Sequence, residues 1–386
     1  MDKKRKHIGL FYTKNYDSAT SLVIYIQNII KGFKLLSDAD KPKITLLFNK
    51  ESSIDEVKDI NYPYITYLEM DFYKLPIYKR FCNKIYRSIF NKNIFQNHSF
   101  SNLNLDAVYP VWFDVSNIKS KKIFYWFIDF IDSHYPEYFS KEELEASKLE
   151  TIKAAKTYKN LIFSSNNAYQ DFLNIIPNYK GKVDILRFVS IFDLEELNKD
   201  ELLLKYNLKA NYFITPNQFW PHKNHIIILK AAKLLVDKGI TNFSIAFTGK
   251  QTSYRDKNYS ASLQTYIKEN NLESQVNLLG FIPRQDQLNL MKHSTAIIQP
   301  SLFEGWSTLV EEAKALNQYI LLSDIPLHRE QINSACAFFK TDDENKLQEL
   351  MLESFDRKDL ISHHYQDKID LFALDLKNIF LTSDEY

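Results

Sequence analysis

Glu304 and Glu312 stand eight residues apart in the segment Ser301-Leu302-Phe303-Glu304-Gly305-Trp306-Ser307-Thr308-Leu309-Val310-Glu311-Glu312. An apolar run at 296–298 comes just before the segment and reads as a strand. Thr308-x-x-Glu311 has the form of a capping box, which predicts a helix starting at Leu309. Glu304 then lies in the loop before the helix, and Glu312 on the same side one turn in. Eight helical residues rise about 12 Å, the separation of a hexose from the ribose in a nucleotide sugar. Unpaired backbone N–H groups at a helix start, here around Ser307 and Thr308, suit a diphosphate placed between the two carboxylates. Carboxylates accept well from sugar hydroxyls, and Gly305 lets the backbone approach a ligand closely.

A second segment, Pro216-Asn217-Gln218-Phe219-Trp220-Pro221-His222-Lys223-Asn224-His225, follows a strand expected at 212–215. His222 and His225 read as shaping the lysine loop rather than reacting. Asp38-Ala39-Asp40 sits beside Lys41-Pro42 and reads as a solvated turn rather than a metal site, and no His/Cys cluster suggests zinc.

The elements that must position these groups alternate. Strands are expected at 8–12, 44–48, 64–68, 107–111, 123–127 and 161–163, with helices at 21–36 and 141–157. Around 183–202 the pattern restarts. Strands at 212–215, 243–248, 276–278, 296–298 and 319–322 then alternate with helices at 225–238, 260–270, 285–293 and 309–316, Gly239 closing the first of these. Short apolar runs alternating with helices predict parallel βαβ units. The expected class is α/β, two doubly wound Rossmann-like domains with a cleft between them where ligands bind. The expected division is 1–187, 188–363, and a C-terminal helix within 364–386 packing back toward the N-terminal domain.

Composition narrows the partners. Lys and Arg number 49 against 48 Asp and Glu in 386 residues, a balance that argues against nucleic acid. The seven glycines contain neither G-x-G-x-x-G nor a P-loop spacing, so phosphate must be held without either motif. Cys82 and Cys336 fit a reducing compartment. The first apolar stretch is too short for a signal peptide, and no run reaches the length of a membrane span. The expected location is the cytoplasm. Within 72–92, Tyr78, Phe81, Cys82, Ile85 and Ile89 fall on one helical face beside Lys79, Arg80, Lys84 and Arg87, a pattern open to peripheral contact with an anionic membrane or to packing in a core.

Taken together, these segments resemble the retaining glycosyltransferases of family 4, which share the GT-B fold. The carboxylate pair resembles that family's E-x7-E motif. The lysine loop resembles the subgroup reading N-Q-F-W-x-H-K-N-H. Gly280-Phe281-Ile282-Pro283, Ser323-Asp324-Ile325-Pro326-Leu327-His328-Arg329-Glu330, Trp126-Phe127-Ile128-Asp129-Phe130 and His134-Tyr135-Pro136-Glu137-Tyr138-Phe139-Ser140 resemble the same subgroup in order and place. The likeness is detailed over about 210–335 and looser over 123–190.

The resemblance implies that Glu304 binds donor-sugar hydroxyls, Glu312 the ribose, and Lys223 the diphosphate. Amides around Ser307 and Thr308 assist Lys223. Gln218, Gly305, Trp306, Phe281 and Ile282 complete the donor side, the last two against the base or, as apolar residues following a strand, equally in the core. Gln218 replaces the arginine of the broader family, which puts more of the neutralisation on Lys223. His134 is implied on the acceptor side. The implied reaction moves a sugar from a nucleotide diphosphate donor to a glycan or lipid-linked acceptor of a bacterial surface polysaccharide, without metal or other cofactor. Two other readings stay open: an inactive GT-B binding or scaffold subunit, and another GT-B nucleotide-sugar enzyme such as an epimerase.

Overall fold

The computed structural model describes residues 5–12, 20–50, 52–70, 103–112, 120–253, 255–357 and 361–382, together with Tyr78, Cys82 and Tyr86 singly. Apart from those three, the basic-aromatic stretch 72–92 lies outside the described residues.

Seven strands form the first sheet: β1 (His7–Tyr12), β2 (Lys43–Phe48), β3 (Ile65–Glu69), β4 (Leu105–Val111), β5 (Ser120–Phe127), β6 (Asn160–Phe163) and β7 (Lys182–Ile185). Their order is β3-β2-β1-β4-β5-β6-β7, and every pairing is parallel. Its principal described helices are α1 (Thr20–Leu35), α2 (Lys141–Thr157) and α3 (Asn166–Ile175). Residues 182–185 therefore close the first sheet, inside the expected first division 1–187.

The second sheet holds β8 (Tyr212–Pro216), β9 (Ser244–Thr248), β10 (Val276–Gly280), β11 (Ala296–Gln299), β12 (Ile320–Ser323) and β13 (Cys336–Phe339). Its order, β10-β9-β8-β11-β12-β13, is again wholly parallel. Around it lie α4 (His225–Asp237), α5 (Tyr259–Glu269), α6 (Arg284–His293), α7 (Thr308–Ala315), α8 (Pro326–Gln331) and α9 (Glu344–Phe355), followed by α10 (Tyr365–Phe380). Gly239 ends α4 at φ +79, where its missing Cβ makes the left-handed turn cheap.

Each sheet has apolar clusters on both faces, as parallel sheets require. Tyr365, Phe372, Leu376, Ile379 and Phe380 of α10 belong to a cluster of the first sheet, with Ile29 and Phe33 of α1. The last helix thus crosses back onto the N-terminal domain. In both sheets the strand order reverses beside the first strand, and such a switch point opens a crevice at the strands' C-terminal ends. In the second sheet that point lies between β8 and β11, the strands that lead into the lysine loop and the E-x7-E segment.

Candidate active site

The two loops are pinned to each other before their side chains meet. Past β8, Asn217 Nδ2 donates to Gln299 Oε1 at the end of β11, 2.5 Å away. A single 3-10 turn, Pro221–Lys223, ends at Asn224, whose left-handed backbone (φ 52) starts α4 and whose amide donates to the Pro300 and Thr341 carbonyls. The Leu302 amide donates to the His222 carbonyl at 2.8 Å. Lys223 Nζ consequently lies 2.5 Å from Glu304 Oε1, their side chains 16% and 10% exposed. Gln299 Nε2 donates to the same oxygen at 2.8 Å. Burial pushes the Glu304 carboxyl up, but the charge and hydrogen bond of Lys223 outweigh it and hold the group below its ordinary value. Burial, with Lys223 nearby, pushes His222 and His225 down to about 3, so both are neutral supports of the loop.

The helix after Glu304 starts one residue earlier than expected. Ser307 is its N-cap, accepting from the Val310 amide, and Thr308 opens α7. Glu311 forms no capping box. It is buried and turned inward to Lys314 (2.6 Å), Gln331 Nε2 (2.7 Å) and Tyr365 Oη (2.8 Å), because a buried carboxylate needs partners more than the helix needs a second cap. The Ser307 amide is also occupied, donating to Gln331 Oε1 at 3.2 Å. That leaves the Thr308 and Leu309 amides as the first-turn donors with no protein acceptor among the described residues.

Other expected donor contacts divide. Glu312 is buried on α7 and paired with Arg284 Nη2 at 2.5 Å. Gln218 is partly buried at the mouth of the lysine loop. Phe281 is 81% exposed beyond β10, whereas Ile282 is 7% exposed inside the core under α7, so its side chain is not free to meet a base. The Trp306 side chain turns away from the two carboxylates. Its Nε1 donates to the Phe188 carbonyl at 2.9 Å and its ring packs on the cluster of the first domain.

Gly305 makes a close approach to the other domain. A Cβ there would lie 2.6 Å from the Ile128 carbonyl oxygen and 2.6 Å from Asp129 Cβ. The loop after β5 therefore rests on the E-x7-E segment. Tyr135 Oη donates to the Leu302 carbonyl, and the His134 ring lies 4.8 Å from that of Phe303. His134 Nε2 meets Asp171 Oδ1 of α3 at 2.9 Å, with the His134 side chain 43% exposed.

Sequence reasoning missed Asp129 as a site residue, although it lies in the quoted Trp126–Phe130 motif just past the C-terminal end of a strand. Burial pushes its carboxyl up to about 6. The Ile131 amide opposes this, while Glu304 and Asp132 add to it. The proton is thus favoured in the folded state, a stabilisation present in full below about pH 4 and lost as pH rises through about 6. Asp129→Asn keeps an acceptor for the Ile131 amide. It is expected to remove a pH-dependent loss on the order of 2 kcal/mol, seen as a gain in unfolding free energy over wild type at pH 7.5 that is absent at pH 4. Arg284, Gln299, Gln331 and Asp171 were missed as well, since nothing in their spacing shows the partner each finds in space.

The profile of the family "Glycosyl transferases group 1" matches residues 199–364. Among curated proteins, the O-antigen chain mannosyltransferase RfbU of Salmonella typhimurium is 25% identical over 225 residues, 58% of this chain and 56% of that protein. An Escherichia coli UDP-Gal:alpha-D-GlcNAc-diphosphoundecaprenol alpha-1,3-galactosyltransferase is 28% identical over 154 residues, 40% of this chain and 37% of that protein. The chain thus spans about half the length or less of the curated relatives it matches. The crystal structure of Anabaena Alr3699/HepE in complex with UDP superposes with a TM-score of 0.60 at 13% identity, covering 97% of this chain and 94% of that one. The family match thus covers the second sheet, and over nearly its whole length the chain has the GT-B architecture.

Proposed function

We propose that the chain transfers a hexosyl group from a nucleotide diphosphate sugar to a glycan or lipid-linked acceptor, with retention of anomeric configuration, in the synthesis of a bacterial surface polysaccharide. The observation that carries this reading is the Lys223–Glu304 pair, with Asp129 and His134 of the other domain packed on the loop that carries Glu304. Lys223 neutralises the leaving diphosphate together with the Thr308 and Leu309 amides, and Gln218 borders that site. Glu304 takes sugar hydroxyls. Glu312, oriented by Arg284, takes the ribose. Phe281 offers an exposed face to the base, and Ile282 serves through its backbone.

Without a protein nucleophile in the proposed scheme, the leaving phosphate accepts the acceptor's proton on the face it departs from. The protein supplies orientation, charge stabilisation and exclusion of water. A UDP donor is the first choice, because UDP is the nucleotide named for the Anabaena structure. The diphosphoundecaprenol in the name of the Escherichia coli relative supports a lipid-linked acceptor, which the proposal places at the inner face of the cytoplasmic membrane. No described helix is long and apolar enough to cross a membrane. The test is nucleoside diphosphate release from a set of nucleotide sugars offered with undecaprenyl-diphosphate-linked sugars, the product anomer being read by proton NMR. One donor consumed only with acceptor, giving a product of unchanged configuration, supports the proposal. An inverted product would overturn retention, and release from no donor would overturn transfer.

A further inference from the structure

One contact between the domains lies away from the groups discussed so far. Glu330, near the end of α8 in the C-terminal domain, reaches the start of α3 in the N-terminal domain. Its Oε1 accepts from the Asn166 amide at 2.9 Å and its Oε2 from the Asn167 amide at 3.1 Å. Arg187, just past β7, donates to Oε1 through Nε at 2.9 Å and Nη2 at 2.8 Å. A helix start presents unpaired amides and partial positive charge, so this carboxylate is held at once by a dipole and a guanidinium. Asp375 of α10 also faces Arg187.

Both helices that meet at Glu330 end in the candidate site. One turn along α3, Asp171 holds His134. Next to Glu330 on α8, Gln331 grips the Ser307 amide and carbonyl at 3.2 and 2.8 Å and Glu311 at 2.7 Å. Gln331 at the end of α8 therefore fixes the donor loop, and Asp171 of α3 fixes the acceptor-side histidine. Glu330 is the point where the two supports are joined.

We propose that Glu330 is a positioning residue: held by α3 and Arg187, it sets the register of the two domains that brings His134 and the loop after β5 onto the donor loop. The kinetic consequence rests on the glycosyl-transfer reading, while the clamp itself does not. Its loss leaves the donor half intact, because Lys223, Glu304 and Glu312 find their partners within the C-terminal domain.

The test uses the full chain as wild type, Glu330→Gln and Arg187→Met. Small-angle X-ray scattering compares their shapes, titration with UDP compares affinities, and turnover is followed with the nucleotide sugar that the wild type consumes. Both variants are expected to scatter as more open particles and to bind UDP within about twofold of wild type. Turnover is expected to fall by about tenfold or more at nearly unchanged donor KM. The double variant is expected to be little worse than either single one, since both changes break one contact. Wild-type scattering in both variants overturns the proposal, as does turnover lost only in proportion to UDP affinity. Arg187→Met decides the matter if Glu330→Gln does not fold. If the wild type neither binds UDP nor turns over, the transfer reading fails, and the scattering comparison still decides the clamp.

Discussion

Glu304→Gln is expected to lower turnover by about a hundredfold or more while nucleoside diphosphate affinity holds or rises. The two effects have one origin. Lys223 pairs with Glu304 at 2.5 Å. A diphosphate must draw the lysine away from that pair, and an amide at position 304 releases it. In the proposed scheme the sugar hydroxyls meanwhile lose their charged acceptor, so transition-state contacts weaken where the nucleotide's do not. Removing one member of a largely buried ion pair leaves the other uncompensated, a change that costs about 3–5 kcal/mol in a fully buried site. At 16% exposure Lys223 keeps some water, and the cost to the C-terminal domain is expected below that range. Steady-state kinetics beside calorimetric titration reads the split. Parallel loss of affinity and turnover would mean that Glu304 merely shapes the loop.

Gly305→Ala is expected to cost nearly as much by a different route. The added methyl would stand 2.6 Å from the Ile128 carbonyl oxygen, and a backbone atom cannot step aside as a side chain can. The domains must then stand farther apart, taking His134 and Asp129 off the donor loop. Misplacement by about 1 Å is enough to cost about a hundredfold in rate. Diphosphate binding, which the proposal assigns to the C-terminal domain, should survive. A variant that turns over like wild type would show that the observed closeness of the two loops is not needed for the reaction.

Much of this arrangement is legible in the residues. Strands β8, β9 and β11 and helix α4 declare themselves through continuous apolar runs, helical spacing and a glycine stop. The loops of Lys223 and Glu304 stand out because each directly follows such a strand. Less could be read where an element is short or partly polar. Four-residue strands such as β7 and β13 have too few positions to show a period, and their place in a sheet is set by the neighbour they pair with. Helices α3 and α9 were not read from sequence. Among the site residues, Ile282 and Trp306 show the limit most clearly. A sequence fixes that they follow a strand or flank a glutamate, while the direction of each side chain depends on which surface comes to lie over it. The same holds for Glu311, whose spacing fits a cap but whose partners, Gln331 and Tyr365, arrive from 20 and 54 residues away. Long-range pairs such as Gly305 with Ile128 belong to the packing of one domain on another, and no local pattern carries them.

The most direct measurement of the central claim is a thermal-unfolding panel of UDP, GDP, ADP, CDP and dTDP on wild type and Lys223→Ala. A ligand at 100 times its dissociation constant stabilises the native state by about 2.7 kcal/mol. The expected result is one responding nucleotide, acting on the wild type and silent on the variant. A wild type that answers to none of the five, or a variant that answers as the wild type does, would contradict the assignment of this cleft as a nucleotide-sugar site built around Lys223.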